Sequence, residues 1–145
     1  MKDRIFREAR KGYLRALFAL LFSALAVGFA AAETSTAPSV TAADQVLVDG
    51  RVTIARVFSA GPGWLVVHTQ TPDGKVGPVI GWSPLRSGEN LGVIVAVDAA
   101  KATPVLHAML HVDAGIVGVY EFPGADVPAR VGGEMVNPSF KTGAN

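Results

Sequence analysis

Residues 45–58 read QVLVDGRVTIARVF, and this stretch indicates a β-hairpin. Two apolar blocks flank Asp49-Gly50, a dipeptide that tolerates the positive φ angles of a type I′ turn. Apolar and polar side chains then alternate along residues 51–58, as in a strand with one buried face. The stretch therefore predicts an antiparallel pair, Gln45–Val48 with Arg51–Phe58.

The same rhythm of short apolar blocks and turn residues continues to Phe140. Gly, Pro, Asp and Asn separate the blocks at intervals of about ten residues, which is typical of an all-β sandwich. A second hairpin turn is predicted at Gly132-Gly133. The other predicted strands are Trp64–Thr69, Val79–Ser83, Leu91–Val97, Val105–Val112 and Val117–Phe122. We therefore expect an all-β fold, an immunoglobulin-like or cupredoxin-like antiparallel β-sandwich of about 7–8 strands.

Alternation assigns the two faces of the Val105–Val112 strand. The side chains predicted to face the core are Leu106, Ala108, Leu110 and Val112. The opposite face then carries Val105, His107, Met109 and His111, and we expect these histidines to be half-exposed. Leu91–Val97 is apolar on both faces, which predicts a strand central to the sandwich. The two tryptophans, Trp64 and Trp82, are expected in the core.

The N-terminus has the pattern of an export signal. Six Lys and Arg residues lie within residues 1–15, and an apolar run follows over Ala16–Ala32. A basic segment, an apolar segment and a small-residue end predict a signal peptide cleaved after Ala32, with an uncleaved anchor as the alternative. The protein is then exported, either periplasmic or extracellular. Residues 33–44, rich in Thr, Ser, Ala and Pro, predict a flexible linker before a single domain of residues 45–145.

Composition excludes several classes of function. Six of the 13 basic residues lie within residues 1–15, so residues 33–145 carry seven basic against ten acidic side chains. This disfavours nucleic-acid binding, which needs clustered positive charge. The absence of Cys removes disulfides, thiol chemistry and thiolate metal sites. Membrane contact is expected only through the N-terminal segment, if it is not cleaved.

The histidines are the candidate metal ligands. The spacing His107-x-Met109-x-His111 is typical of a copper-type cluster. On a strand, however, His107 and His111 lie about 13 Å apart, too far to share one ion. Without Cys, a blue-copper site is excluded.

Two further segments carry partial motifs. Asp113–Glu121 mixes acids with glycines as calcium loops do, but it offers few oxygen ligands, and a tight glycine turn explains it better. Ser83 follows Gly81-Trp82 as in a nucleophile elbow, yet Leu85 stands where the second glycine is required. No complete catalytic constellation is present in the sequence, so the chain is not predicted to be an enzyme.

Four segments together resemble a family of secreted domains of unknown function found in archaeal and bacterial exported and surface proteins. They are Gly63–His68, Val79–Gly88, Ala108–Gly115 and Gly118–Phe122. The most specific element is A-M-L-H-x-D-x-G followed by Y-E-F. The resemblance implies an extracytoplasmic β-rich module without assigned catalysis, in which His68, His111 and Asp113 match recurring positions.

The sequence thus predicts an exported, non-catalytic module that binds in the cell envelope or has a structural role there. Its partner would be an envelope protein or a small ligand, and no cofactor is predicted. The alternative is a periplasmic copper- or zinc-type metal-binding protein that uses His68, His111 and Asp113, or Met109 with a flanking His. If the two histidine strands are neighbours, the rings and Asp113 could hold a metal, or form a buried hydrogen-bonded network that fixes a turn.

Overall fold

The structure is a computed structural model, and it describes residues 36–143. The predicted signal peptide or anchor, residues 1–32, lies outside the described residues. Within residues 36–143, no helix is both long and apolar enough to cross a membrane.

Short strands make up most of this segment. They are β1 Ser39–Thr41, β2 Gln45–Val46, β3 Arg51–Ser59, β4 Gly63–Gln70, β5 Val76–Leu85, β6 Gly88–Ala96, β7 Val105–Val112, β8 Arg130–Val131, β9 Glu134–Met135 and β10 Ser139–Gly143. One 3-10 turn, Ala99–Lys101, lies between β6 and β7.

The longer strands form two sheets around one apolar core. One sheet has the order β1-β3-β6, and the other has the order β2-β10-β7-β4-β5. The neighbouring strands are antiparallel except for β2 and β10, which run parallel. Side chains from both sheets fill the space between them, among them Ile54 of β3, Leu65 of β4 and Leu110 of β7. The all-β prediction is confirmed, and the arrangement is sandwich-like.

The first hairpin turn is confirmed, but its strands pair differently. Asp49 and Gly50 have φ angles of 50° and 66°, as a type I′ turn requires. Val48 bridges Arg51 of β3 next to the turn. Further from the turn, β2 pairs with β10, and the side-chain amide of Gln45 bonds the backbone of Thr53 in β3. The second predicted turn, Gly132-Gly133, joins β8 to β9.

Two segments differ from the sequence predictions at the three-stranded sheet. β6 lies at the edge of that sheet with Leu91 and Ile94 exposed, so the prediction of a central strand was wrong. Apolar composition on both faces does not by itself place a strand inside a sandwich.

Ser39–Thr41, within the predicted linker, pairs with β3 through backbone hydrogen bonds, which need no large side chain.

The predicted strand Val117–Phe122 is instead part of a long loop. Residues Ile116–Val119 form a turn with Gly118 at φ 82°, and carboxylates accept the backbone N–H groups of Ile116, Gly118 and Glu121. These N–H groups are therefore not available to a neighbouring strand. We call residues 113–129 the cover segment, because its aromatic side chains pack on the outer face of the five-stranded sheet, away from the core.

Candidate functional site

The outer face of β4 and β7 carries the histidines. In the antiparallel register His68 pairs with His107, Val66 with Met109, and Trp64 with His111. The exposed fractions of His68, His107 and His111 are 4%, 7% and 0%. The expectation of half-exposed histidines was therefore wrong, because alternation along β7 cannot reveal that a distant loop covers its second face. At the end of the strand, Val112 is exposed rather than in the core.

Aromatic rings of the cover segment close this face. Phe122 stands perpendicular to His111 at a centroid distance of 4.6 Å, and it also contacts His68 edge-on at 6.1 Å. Tyr120 stacks on Trp82 at 4.4 Å and meets Trp64 edge-on at 5.5 Å. Trp64 is buried, but beneath Tyr120 on the outer face rather than in the core cluster between the sheets, and Trp82 is half-exposed.

The rings of His68 and His111 lie side by side under this cover. Their centroids are 5.8 Å apart, and their planes are inclined by 23°. Nδ1 of His68 lies 2.9 Å from the carbonyl oxygen of Gly77, and Nδ1 of His111 lies 2.8 Å from that of Asp126. A carbonyl oxygen only accepts, so both Nδ1 atoms carry the proton.

The Nε2 atoms of His68 and His111 are consequently free acceptors. Both are buried, and neither has a hydrogen-bond partner in the part of the chain that the structure describes. Metal-binding histidines characteristically donate their other ring N–H to a carbonyl or carboxylate, which fixes the ring and leaves one nitrogen for the ion.

Burial lowers the pKa of both rings. For His68, the hydrogen bond to Gly77 raises the pKa and the nearby His107 lowers it, without reversing the effect of burial. For His111, burial again has the largest effect; the Asp126 carbonyl raises the pKa and His68 lowers it. Both rings are therefore neutral at neutral pH, the state in which imidazole binds metals.

His107 does not join the pair. It lies opposite His68 across the strands, and its Nε2 accepts a hydrogen bond of 3.4 Å from the side-chain amide of Gln70. Its Nδ1 is buried and has no partner in the described part of the chain. Among residues 36–143, however, the three histidines form no group that could hold a metal ion, so the predicted His107-x-Met109-x-His111 cluster is not formed as one three-residue site.

The carboxylate of Asp113 stabilises a turn within the cover segment. Its Oδ2 accepts from the N–H of Gly118 at 2.7 Å and holds the turn that replaces the predicted strand. Within residues 36–143, no three His, Asp or Glu side chains form a group that could hold a metal ion. The structure therefore brings His68 and His111 together, and Asp113 joins them in no such group.

Asp126 is the residue that the sequence analysis missed. Its side chain is fully buried, and it accepts from the N–H groups of Ala114 and Glu121 at 3.0 and 2.7 Å. Burial raises the pKa of this carboxyl, but the backbone N–H donors outweigh burial and hold the pKa below its ordinary value. The Asp126 carboxylate thus links Ala114 to Glu121 within the cover segment. The backbone carbonyl of Asp126 orients the His111 ring. Its only sequence signal, an acid in a loop rich in Gly and Pro, is too common to single it out.

A shallow cavity of about 290 Å³ gives access to this face from solvent. Its lining includes His68 and Met109 of the sheet, Phe122 and Pro128 of the cover segment, and Met135 of β9. Met109 is almost fully buried and lies on the same face of β7 as His111. The cavity therefore reaches His68 of the pair, whereas His111 lies fully buried beside it.

Comparison with known proteins places the chain in a family without assigning it an activity. No curated protein and no solved structure matches it. A family model described as a domain of unknown function (DUF7282) matches residues 38–141, in agreement with the resemblance in the sequence, and the chain belongs to that family.

Proposed function

We propose that the protein is an exported, non-catalytic binding module of the cell envelope, and that its binding site is the covered pair His68 and His111, which takes a metal ion. One observation carries this proposal: on two neighbouring rings, both Nε2 atoms are buried and without a partner among residues 36–143, while carbonyl oxygens fix both Nδ1 atoms. Export is supported by the basic and apolar N-terminal segments of the sequence.

Energetics favour a ligand at this pair. A buried acceptor without a hydrogen bond costs on the order of 1–3 kcal/mol, and this fold carries two such acceptors on neighbouring rings. If the pair had only a structural role, hydrogen-bond donors of the protein itself would be expected to satisfy both Nε2 atoms. An ion bound to both nitrogens recovers the cost, and the preset ring orientation lowers the entropy lost on binding.

Thermal unfolding of the purified chain tests the proposal. The chain is melted alone, with an excess of Cu(I) under anaerobic conditions, and with an excess of Cu(II), zinc, nickel, manganese or calcium ions. A ligand at 100 times its Kd adds about 2.7 kcal/mol to the free energy of unfolding, which raises Tm by several degrees for a domain of this size. We expect such a rise for at least one ion.

Three variants assign the response to residues. His68→Gln and His111→Gln remove one Nε2 acceptor each and should abolish the rise. His107→Gln, on the same face but with its Nε2 bonded to Gln70, is the matched control and should retain it. If no ion raises the Tm of the wild-type chain, the pair is a structural network and the proposal is wrong.

A second candidate function is docking to an envelope protein through the tip of the cover segment. The side chains of Ile116, Val117 and Val119 are 66%, 72% and 47% exposed. The carboxylates of Asp113 and Glu121 hold this turn, so docking would lose little conformational entropy. Adjacent exposed apolar residues are typical of interaction sites.

Site-specific photocrosslinking tests the docking function. A photoreactive residue at position 117 should give one discrete adduct in cells that export the protein. The same residue at position 48, where Val48 is comparably exposed in the first hairpin turn, should give none. Adducts at neither position, or equally at both, would contradict docking through the tip.

A further inference from the structure

We propose that the ion is monovalent copper, held by Nε2 of His68, Nε2 of His111 and the thioether sulfur of Met109. This inference rests on the proposed metal-binding function and deepens it by naming the ion and its third ligand.

The position of Met109 supports this assignment. It faces the cover from β7, and its cross-strand partner Val66 lies between Trp64 and His68 on β4. Its side chain is 97% buried and lines the cavity that His68 also lines. A thioether is therefore present at the face where the two ring nitrogens lack partners.

The ligand types select the ion. Thioether and imidazole are soft and borderline ligands that suit Cu(I). Zinc in structural sites takes four ligands from Cys, His, Asp and Glu, and within residues 36–143 the histidine pair gains no third ligand of those types. Cu(II) favours planar nitrogen and oxygen sets, and calcium requires six or more oxygens. Two imidazoles and a thioether fit Cu(I) best.

The surroundings favour an ion of low charge. An imidazole nitrogen and a thioether sulfur bring no negative charge to an ion, and the aromatic ring of Phe122 covers the two imidazoles. Burying one unit of charge in such a setting costs far less than burying two. The cavity beside His68 and Met109 supplies an entry path that does not require unfolding.

Competition for Cu(I) under anaerobic conditions tests the inference. The purified chain is titrated into a Cu(I) complex of a coloured chelator, and loss of colour reports transfer of copper. We expect one Cu(I) per chain. His68→Gln, His111→Gln and Met109→Leu should each lower the affinity at least about tenfold.

Met135→Leu is the matched control. Met135 lines the same cavity, but from β9 rather than from the histidine face, so this variant should keep the wild-type affinity. Circular dichroism and metal-free melts of each variant check that it folds. Should Met109→Leu fail to fold, the X-ray absorption spectrum of the Cu(I)-loaded wild-type chain tests the third ligand. It must show a sulfur atom bound to copper.

The outcomes separate this inference from the proposed function. If wild-type Tm rises with zinc or Cu(II) through both histidines but Cu(I) is not bound, metal binding stands and this inference is wrong. If Cu(I) is bound equally by wild type and Met109→Leu, or without a sulfur neighbour, the third ligand is wrong. If the chain binds no metal ion at all, both fail.

Discussion

His68 and His111 stack with their ring centroids 5.8 Å apart, although the strand register pairs His68 with His107 and His111 with Trp64. The two rings therefore converge diagonally across the outer face of the sheet. Carbonyl oxygens of Gly77 and Asp126 fix their orientation. This convergence brings together the two rings whose unpartnered Nε2 atoms are the basis of the proposed function.

Stability should fall in mild acid. Histidine in the unfolded chain titrates near pH 6.5, and burial lowers the pKa of both His68 and His111 in the fold. Below pH 6.5 the unfolded chain therefore binds more protons than the native chain. The stabilising contribution is complete above pH 6.5 and is lost as pH falls toward the folded pKa values.

Urea unfolding at pH 8 and pH 5, without added metal, measures this effect. We expect a lower midpoint at pH 5, and a smaller difference in the double variant His68→Gln/His111→Gln. The contribution of Asp126 is lost in a separate window, below about pH 4, because its pKa is lowered from the ordinary carboxyl value. Equal or greater stability at pH 5 would contradict burial of neutral rings.

Asp126→Asn should destabilise the protein by about 1–3 kcal/mol. The amide group turns one acceptor into a donor, so one of the N–H groups of Ala114 and Glu121 loses its partner in a buried position. Chemical denaturation measures the change. Asp98→Asn is the control, because Asp98 forms only an exposed ion pair with Lys101, and its loss should change stability little. Similar effects of the two variants would show that Asp126 does not hold the cover segment.

Phe122→Ala should uncover the histidine pair. The ring of Phe122 contacts both imidazoles, so its removal opens a path for solvent to His68 and His111. Modification by diethyl pyrocarbonate, located by mass spectrometry, should accelerate at these two histidines. Val117→Ala, in the same segment but exposed, should leave the rates unchanged. Rates that do not respond to Phe122→Ala would mean that other groups shield the pair.

Gly81→Ala should cost about 1–3 kcal/mol, the usual range for overpacking. A Cβ at Gly81 of β5 would collide with the carbonyl oxygen of Ala96 in β6, where the two sheets meet. Gly61→Ala places its Cβ in open space and should be nearly neutral. A comparison of the two variants by thermal unfolding checks this contact, and a neutral Gly81→Ala would show that β5 and β6 are not so close.

Local patterns in the sequence predicted much of the fold. Val105–Val112 was predicted with both bounds as found, and Asp49-Gly50 and Gly132-Gly133 form turns because their backbones accept positive φ. Such features depend on neighbouring residues alone. The strand predicted at Val117–Phe122 failed because β propensity does not account for the carboxylates of Asp113, Glu121 and Asp126 that capture its backbone N–H groups.

The candidate site was only partly predictable. The residues His68 and His111 were identified, and the condition that their strands be neighbours is met by β4 and β7. Burial of the outer face was missed, since it depends on Phe122 and the rest of the cover segment folding back over a strand that precedes them. The roles of Asp126 and the Gly77 carbonyl likewise arise from contacts between distant positions.

Nitrogen-15 NMR of the imidazole rings, recorded with and without one equivalent of silver(I) as a stable stand-in for Cu(I), tests the central claim most directly. In the free protein, His68 and His111 should both show the Nδ1–H tautomer with an unprotonated Nε2. On addition of silver, the Nε2 resonances of these two rings should shift while those of His107 stay in place. Unchanged spectra, or a shift confined to His107, would contradict the assignment of the pair as a metal site.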